Sequence, residues 1–215
     1  MLTKQVICSG EYLRKFSDVP PELLWSLERI RQSMEHTLQA RPDDGDLWVF
    51  GYGSLIWNPM LDFAEQQRAT LHGWHRSFCL RMIAGRASID TPGRMLALQP
   101  GGETHGVAFK VSQEVATDEL LCLWIREMPT GAYRPLWIPV QLAEGGEVNA
   151  LVFVAEPDHP LFEADARIET IAGHVGQAQG PMGSNVDYVH RLCCALSESG
   201  ITDEYIGALS AELMD

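Results

Sequence analysis

The middle of the chain runs strand after strand with a single helix among them, and that order restricts the fold more than any one motif. From Leu47 onward the segments LWVFGY, RATLHGWHRSFCLRM, MLALQP and THGVAFKV are rich in aromatic, Leu and Val positions and are broken by glycine. Pro100-Gly101-Gly102 reads as the turn of a hairpin. A helix follows from about Gln113 to Arg126, with Val115, Leu120, Leu121 and Trp124 on one face and Ser112 available as its cap. Two more strands, around YRPLWIPVQL and EVNALVFVAE, flank the turn-like EGG. Strands that follow strands pair antiparallel through short turns. The expected class is therefore α+β: a small, mostly antiparallel curved sheet or barrel with helices packed outside.

The two ends are helical. Leu23, Leu24, Leu27, Ile30, Met34 and Leu38 recur at helical spacing between Pro20 and Ala40, with Pro20 and Pro21 suited to a helix start. This helix is either packed on the main domain or a partner-binding surface, and packing is the expectation. Residues 1 to about 18 show no period. The last third predicts helices near 163–178, 185–198 and 202–213. The domain reading is a helical extension over 1–45 followed by one domain over 46–215.

With 29 acidic against 16 basic residues the net charge is −13, which opposes binding to nucleic acid or to an anionic membrane surface. No segment has the apolar length of a membrane span, and the N-terminus shows no secretory pattern. Five scattered cysteines, two of them adjacent (Cys193 and Cys194), fit a reducing cytoplasm. An anionic small substrate would need a local positive site built from backbone N–H groups or a few arginines.

Three stretches carry candidate chemistry. In WVFGYGSLIWNP, two glycines in three positions interrupt a buried strand, either for a tight turn or to let a ligand lie against the backbone. Ser54 follows the strand, but the stretch lacks the final glycine of a nucleophile elbow, so a positioning hydroxyl is expected. In WIREMPTGAYRP, Glu127 ends an apolar helix beside Trp124 and Met128. Desolvation and the negative helix end push such a carboxylate toward a raised pKa, as an acid–base group requires. The alternative is a surface residue paired with Arg126. In GPMGSNVDYV, Ser184 or Asn185 caps a helix, and Tyr188 one turn on either enters a site or is buried with a backbone hydrogen bond. The seven histidines show no zinc spacing. His72 and His75 stand three apart in a strand and so face opposite sides unless a bulge intervenes. No glycine pattern matches a dinucleotide or phosphate loop, so neither a metal nor a nucleotide cofactor is expected.

Taken in order, FGYGSLIWNP, GWHRSFCLR, TPGRMLAL, LWIREMPTGAY and GPMGSNVDYV resemble the ChaC-like family of glutathione-specific γ-glutamylcyclotransferases over about residues 46–196. The resemblance implies the γ-glutamylcyclotransferase-like fold and cleavage of the γ-glutamyl amide of glutathione to 5-oxoproline and cysteinylglycine, with no cofactor. It implies that Tyr52, Gly53, Ser54 and Leu55 hold the γ-glutamyl group, that Glu127 is catalytic, and that Tyr188 contacts substrate. Many relatives have Gly-Gly-Tyr where this chain has Gly131-Ala132-Tyr133. Arg76 and Arg81 are candidates for a substrate carboxylate, or else solvated or salt-bridged residues. The competing readings are a non-catalytic binding protein using the same pocket, or a cyclotransferase for another γ-glutamyl amine. Oligomeric state is not legible.

Overall fold

The computed structural model describes residues 4–8, 11–16, 19–112 and 116–214. Two short helices, α1 (Lys4–Cys8) and α2 (Glu11–Arg14), lead to a single 3-10 turn at Pro21–Leu23 and to α3 (Leu27–Gln39). There follow β1 (Trp48–Gly51), β2 (Phe63–Met82), β3 (Gly93–Val111), α4 (Ala116–Glu127), β4 (Tyr133–Leu142) and β5 (Glu147–Ala155). The chain ends with α5 (Ile168–Gln177), a pair of two-residue strands β6 (Gln179–Gly180) and β7 (Gly183–Ser184), α6 (Asn185–Glu198) and α7 (Glu204–Glu212).

The five long strands close into a barrel in the order β1-β3-β2-β4-β5, as the α+β reading required. Every pairing is antiparallel except the closing one, where Trp48 and Val49 run parallel to Ala150 and Leu151. The β2–β4 join is brief, with Ala69 opposite Leu142 and Thr70 opposite Gln141. Beyond it the two strands part, and helices cover what they leave.

Period-two alternation sends neighbouring residues to opposite packing layers. Val49, Cys79, Ala97, Leu151 and Phe153 pack with Ile7, Tyr12, Ile30, Met34, Leu120 and Trp124 from the helices before β4. Phe50, Phe78, Leu96, Leu98, Val152 and Val154 pack with Ile171, Val175, Val189, Leu192, Ile206 and Leu209 from α5, α6 and α7. Strands buried on both faces need apolar residues at nearly every position, which is what WVFG and LVFVA supply.

Four expectations need correction. Pro100-Gly101-Gly102 is not a hairpin turn: β3 runs through it, and Gly101 and Gly102, at φ 111° and 66°, form a bulge opposite Gly73. Positive-φ glycines suit a bulge as well as a turn, so the local sequence could not separate the two. The early helix begins at the cap Ser26, whose Oγ accepts from the Arg29 N–H at 3.2 Å, while Pro20 and Pro21 open the separate 3-10 turn. The helix expected from 163 starts at Ile168. Cys79, Cys193 and Cys194 are free thiols and Cys122 is disulfide-bonded, so the cysteines are not uniformly reduced. The expected start of the helix before Glu127, including Gln113 and Val115, lies outside the described residues. The EGG turn does join β4 to β5, through Gly145 and Gly146 at positive φ. A bulge between His72 and Trp74 leaves both His72 and His75 exposed.

The N-terminal segment is packed. The Trp25 N–H donates to the Pro129 carbonyl at 2.8 Å, and the Trp25 ring lies over Gly131. Gly131 has φ 71°, and a Cβ built there would lie 2.2 Å from Trp25 Cε2. Ala132 has no positive φ and is buried, so its methyl group is accommodated. Gly131→Ala should therefore cost about 2 kcal/mol or more, read as a lower urea midpoint with an unchanged slope.

Candidate active site

The loop after β1 begins where Gly51 lets the backbone pass the Phe109 ring, since a Cβ there would lie 2.9 Å from it. Residues 53–58 then coil into a turn, with the Ile56 N–H donating to the Gly53 carbonyl and the Asn58 N–H to the Ser54 carbonyl, both at 3.0 Å. Glu127 is the last residue of α4, between fully buried Trp124 and Met128. The helix thus delivers a carboxylate to its own negative end. Burial drives the Glu127 pKa above its ordinary value, and Arg126 opposes the shift.

Arg126 joins these two elements. Its Nε lies 3.1 Å from Glu127 Oε1, one terminal nitrogen donates to the Asn58 carbonyl at 2.6 Å, and the other donates to Ser54 Oγ at 2.6 Å. The guanidinium thus fixes the Ser54 hydroxyl, which still carries its own proton. Arg76 performs a second anchoring. It is buried, and it donates to the Tyr52 carbonyl at 2.8 Å, the His105 carbonyl at 2.6 Å and Asp203 at 2.8 Å. With those bonds made it is a structural clamp, which removes it as a candidate for a substrate carboxylate.

Four phenols surround the carboxylate: Tyr12, Tyr52, Tyr133 and Tyr188. Burial raises each of their pKa values, and the negative charge of Glu127 adds to the shift, so all four stay protonated. Tyr52 donates to the Phe153 carbonyl at 2.6 Å and Tyr133 to the Leu96 carbonyl at 2.7 Å. The Tyr188 oxygen accepts from the Ser54 N–H, leaving its own proton to donate. A Cβ at Gly53 would lie 3.0 Å from that oxygen, so the glycine admits the close approach.

A cavity of about 520 Å³ opens beside these groups. Ser54, Glu127 and Tyr188 line it together; the side chains of Tyr52 and Leu55 are instead packed in the core. Arg81 lines the wall, 3.9 Å from Glu163. The lining holds Lys15, Arg81, Arg86, Arg94, Arg126 and Arg191 against one carboxylate, Glu127. A strongly acidic chain has thus built a basic pocket, as an anionic substrate demands. Among the described residues no cluster of His, Cys, Asp and Glu is placed to hold a metal ion.

Sequence reasoning missed the role of Arg126 as a tie to the loop, although its place beside Glu127 was visible. It also missed Arg94, which stands inside TPGRMLAL, and the contribution of Tyr12, Lys15, Phe16 and Val19 from the N-terminal segment to the cavity wall. That last assembly has no local signal.

The ChaC-like protein family matches residues 47–214. The glutathione-specific γ-glutamylcyclotransferase of Escherichia coli K12 is 44% identical over 97% of this chain and 90% of that protein. The human glutathione-specific γ-glutamylcyclotransferase 1 is 32% identical over 83% of this chain and 84% of that protein. In fold, the chain is similar to the crystal structure of a yeast γ-glutamyl cyclotransferase specific to glutathione, with TM-score 0.73 at 22% identity, covering 80% of this chain and 96% of that one.

A carboxylate whose pKa is raised by burial is a cost to the folded state that grows as pH rises through that pKa and vanishes below the unfolded value. Glu127→Gln should therefore melt higher than the parent near neutral pH. The gap should close by about pH 4, where the parent carboxyl is protonated folded or unfolded. Paired thermal melts at the two pH values check this.

Proposed function

The chain belongs to the ChaC-like protein family, and we propose on that footing that it is a glutathione-specific γ-glutamylcyclotransferase, a lyase that releases 5-oxoproline and cysteinylglycine. The observation that carries this reading is Glu127, the one carboxylate among the described residues that line a basic cavity, set there beside Ser54 and Tyr188.

The chemistry matches these parts. In a γ-glutamyl amide the α-amine lies within reach of its own γ-carbonyl, and attack closes a five-membered ring. Glu127 takes a proton from the α-ammonium, which frees the nitrogen lone pair. That nitrogen bonds to the carbonyl carbon, and the tetrahedral oxyanion forms. The C–N bond to cysteine then breaks as Glu127 returns the proton to the leaving nitrogen, and the ring nitrogen passes its remaining extra proton through Glu127 to the freed amine. The loop at residues 52–55 holds the γ-glutamyl group through its backbone. With the Ser54 N–H engaged by Tyr188, the N–H groups of Gly53 and Leu55 remain to receive the oxyanion or the α-carboxylate. Tyr188 contributes a phenolic proton to the same anion. Tyr52 acts through its carbonyl and its fixed ring, by keeping the loop in place.

Residues 1–45 act in this reading as an extension that walls the cavity. The substrate is a small molecule, and the chain's acidic surface gives it no affinity for nucleic acid. The enzyme works in the cytoplasm, where glutathione is held. Among the described residues no helix is long and apolar enough to cross a membrane.

Purified protein should convert glutathione to equimolar 5-oxoproline and cysteinylglycine, and N-acetylglutathione, whose amine is blocked, should be inert. Cleavage of the acetylated compound at a similar rate would instead mean attack by water or by an enzyme group. Glu127→Gln should retain glutathione binding by calorimetry and lose turnover by about 10²–10⁴-fold. Because burial raises the Glu127 pKa and the base must be ionised, the parent's rate should fall as pH drops through that raised value. Near-full activity in a folded Glu127→Gln would move the proton transfers to another residue.

A further inference from the structure

Two donors in the cavity wall have no partner among the described residues: the Arg94 Nη1 and the Asn185 Nδ2. Both are deeply buried, Asn185 fully and the Arg94 side chain at 5% exposure, and both residues line the cavity. Buried donors left unpaired are costly, so their persistence in one wall calls for an acceptor supplied from outside the fold.

The geometry around them is fixed from both sides. Asn185 Oδ1 accepts from the Arg94 N–H at 2.8 Å, so the amide turns its NH₂ group to the remaining space. Gly93 makes room for that amide, since a Cβ there would lie 2.3 Å from Asn185 Oδ1. The other terminal nitrogen of Arg94 is paired with Glu163, which holds the guanidinium in place. Glu163 is itself stapled to β2, with its N–H donating to the Cys79 carbonyl at 2.8 Å. Arg81 and Arg94 share this one carboxylate, which leaves the wall a net positive charge. Asn185 is also the first residue of α6, a helix of 14 residues, whose positive end adds to the attraction for an anion.

We propose that Arg94 Nη1 and Asn185 Nδ2 form the specificity site for a substrate carboxylate, the C-terminal glycyl carboxylate of glutathione. This rests on the activity proposed above. The other substrate carboxylate is bonded to the carbon that bears the attacking amine, so it must stay with Glu127 and the loop at 53–55. Glu127 is paired with Arg126, whereas Arg94 is paired with Glu163. A planar carboxylate accepts one donor on each oxygen, and the guanidinium and amide supply them.

Asn185→Asp provides the test. An aspartate keeps an oxygen for the Arg94 N–H, suits a helix N-terminus, and satisfies the Arg94 donor from within the fold, so the variant should melt at or above the parent's temperature. The probes are glutathione and its C-terminal amide, γ-glutamylcysteinylglycinamide. The parent should cleave the amide with kcat/KM about tenfold or more below glutathione, through KM. In Asn185→Asp the KM for glutathione should rise about ten- to hundredfold with kcat within about threefold, and the preference for the acid over the amide should vanish. Arg94→Lys keeps a cation for Glu163 but removes the free guanidinium nitrogen, and should lose the same preference. A folded Asn185→Asp that keeps the parent's KM and its preference overturns the proposal, as does an equal loss on both probes or a loss confined to kcat. A parent that cleaves both probes equally well overturns this assignment alone; a parent that leaves glutathione intact overturns the proposed activity and this assignment with it.

Discussion

The structure turns on the guanidinium of Arg126. A carboxylate buried at the negative end of a helix is unfavourable on two counts, and Arg126 is the charge that offsets both. The same group fastens Ser54 and the Asn58 carbonyl, so Glu127 and the loop at residues 53–58 are held to a common point. Removing that charge would leave Glu127 unpaired and the loop untied together. The residue before the proposed catalytic group is thus as much a part of the site as the group itself.

The barrel makes that arrangement rigid. Arg76 ties the first residue of the loop to β3 and to Asp203, which caps α7 through the Ile206 N–H. Tyr52 and Tyr133 anchor to strand carbonyls on β5 and β3. The loop is therefore gripped at its start by one buried arginine and at its end by another, with strands on either side. In the role proposed for Glu127, a proton carrier serving two transfers benefits from such fixation, because neither transfer has to wait for the base to be re-positioned.

Charge is distributed against the average of the molecule. The surface carries the acidic excess, while the cavity collects six basic side chains and one carboxylate. Within that field the groups have distinct assignments: Arg76 and Arg126 are engaged by the protein, and Arg94 with Asn185 retains unpaired donors. On the two proposals made above, this division of paired and unpaired donors would let one pocket move protons at one end of an anionic substrate and recognise a carboxylate at the other.

Most of the order of strands and helices was legible, the split of β3 apart, because strand-forming runs and glycine placement are local properties of WVFG, LVFVA and the EGG turn. The desolvated surroundings of Glu127 were legible for the same reason: an apolar helix ending in a carboxylate carries its environment within a few residues, whereas its catalytic assignment came from the family resemblance. What the local sequence left open was decided by contacts between distant segments. Gly101 and Gly102 suit a bulge or a turn alike until β2 pairs across from them. Arg76 and Arg81 were equivalent candidates on a strand until the fold buried the first against Tyr52, His105 and Asp203 and set the second in the cavity wall. Arg94 and Asn185 stand 91 positions apart, and the value of each donor depends on whether the other side of the fold satisfies it. Local sequence determines backbone preference and hydrophobic pattern, whereas hydrogen-bond satisfaction is a property of the packed whole.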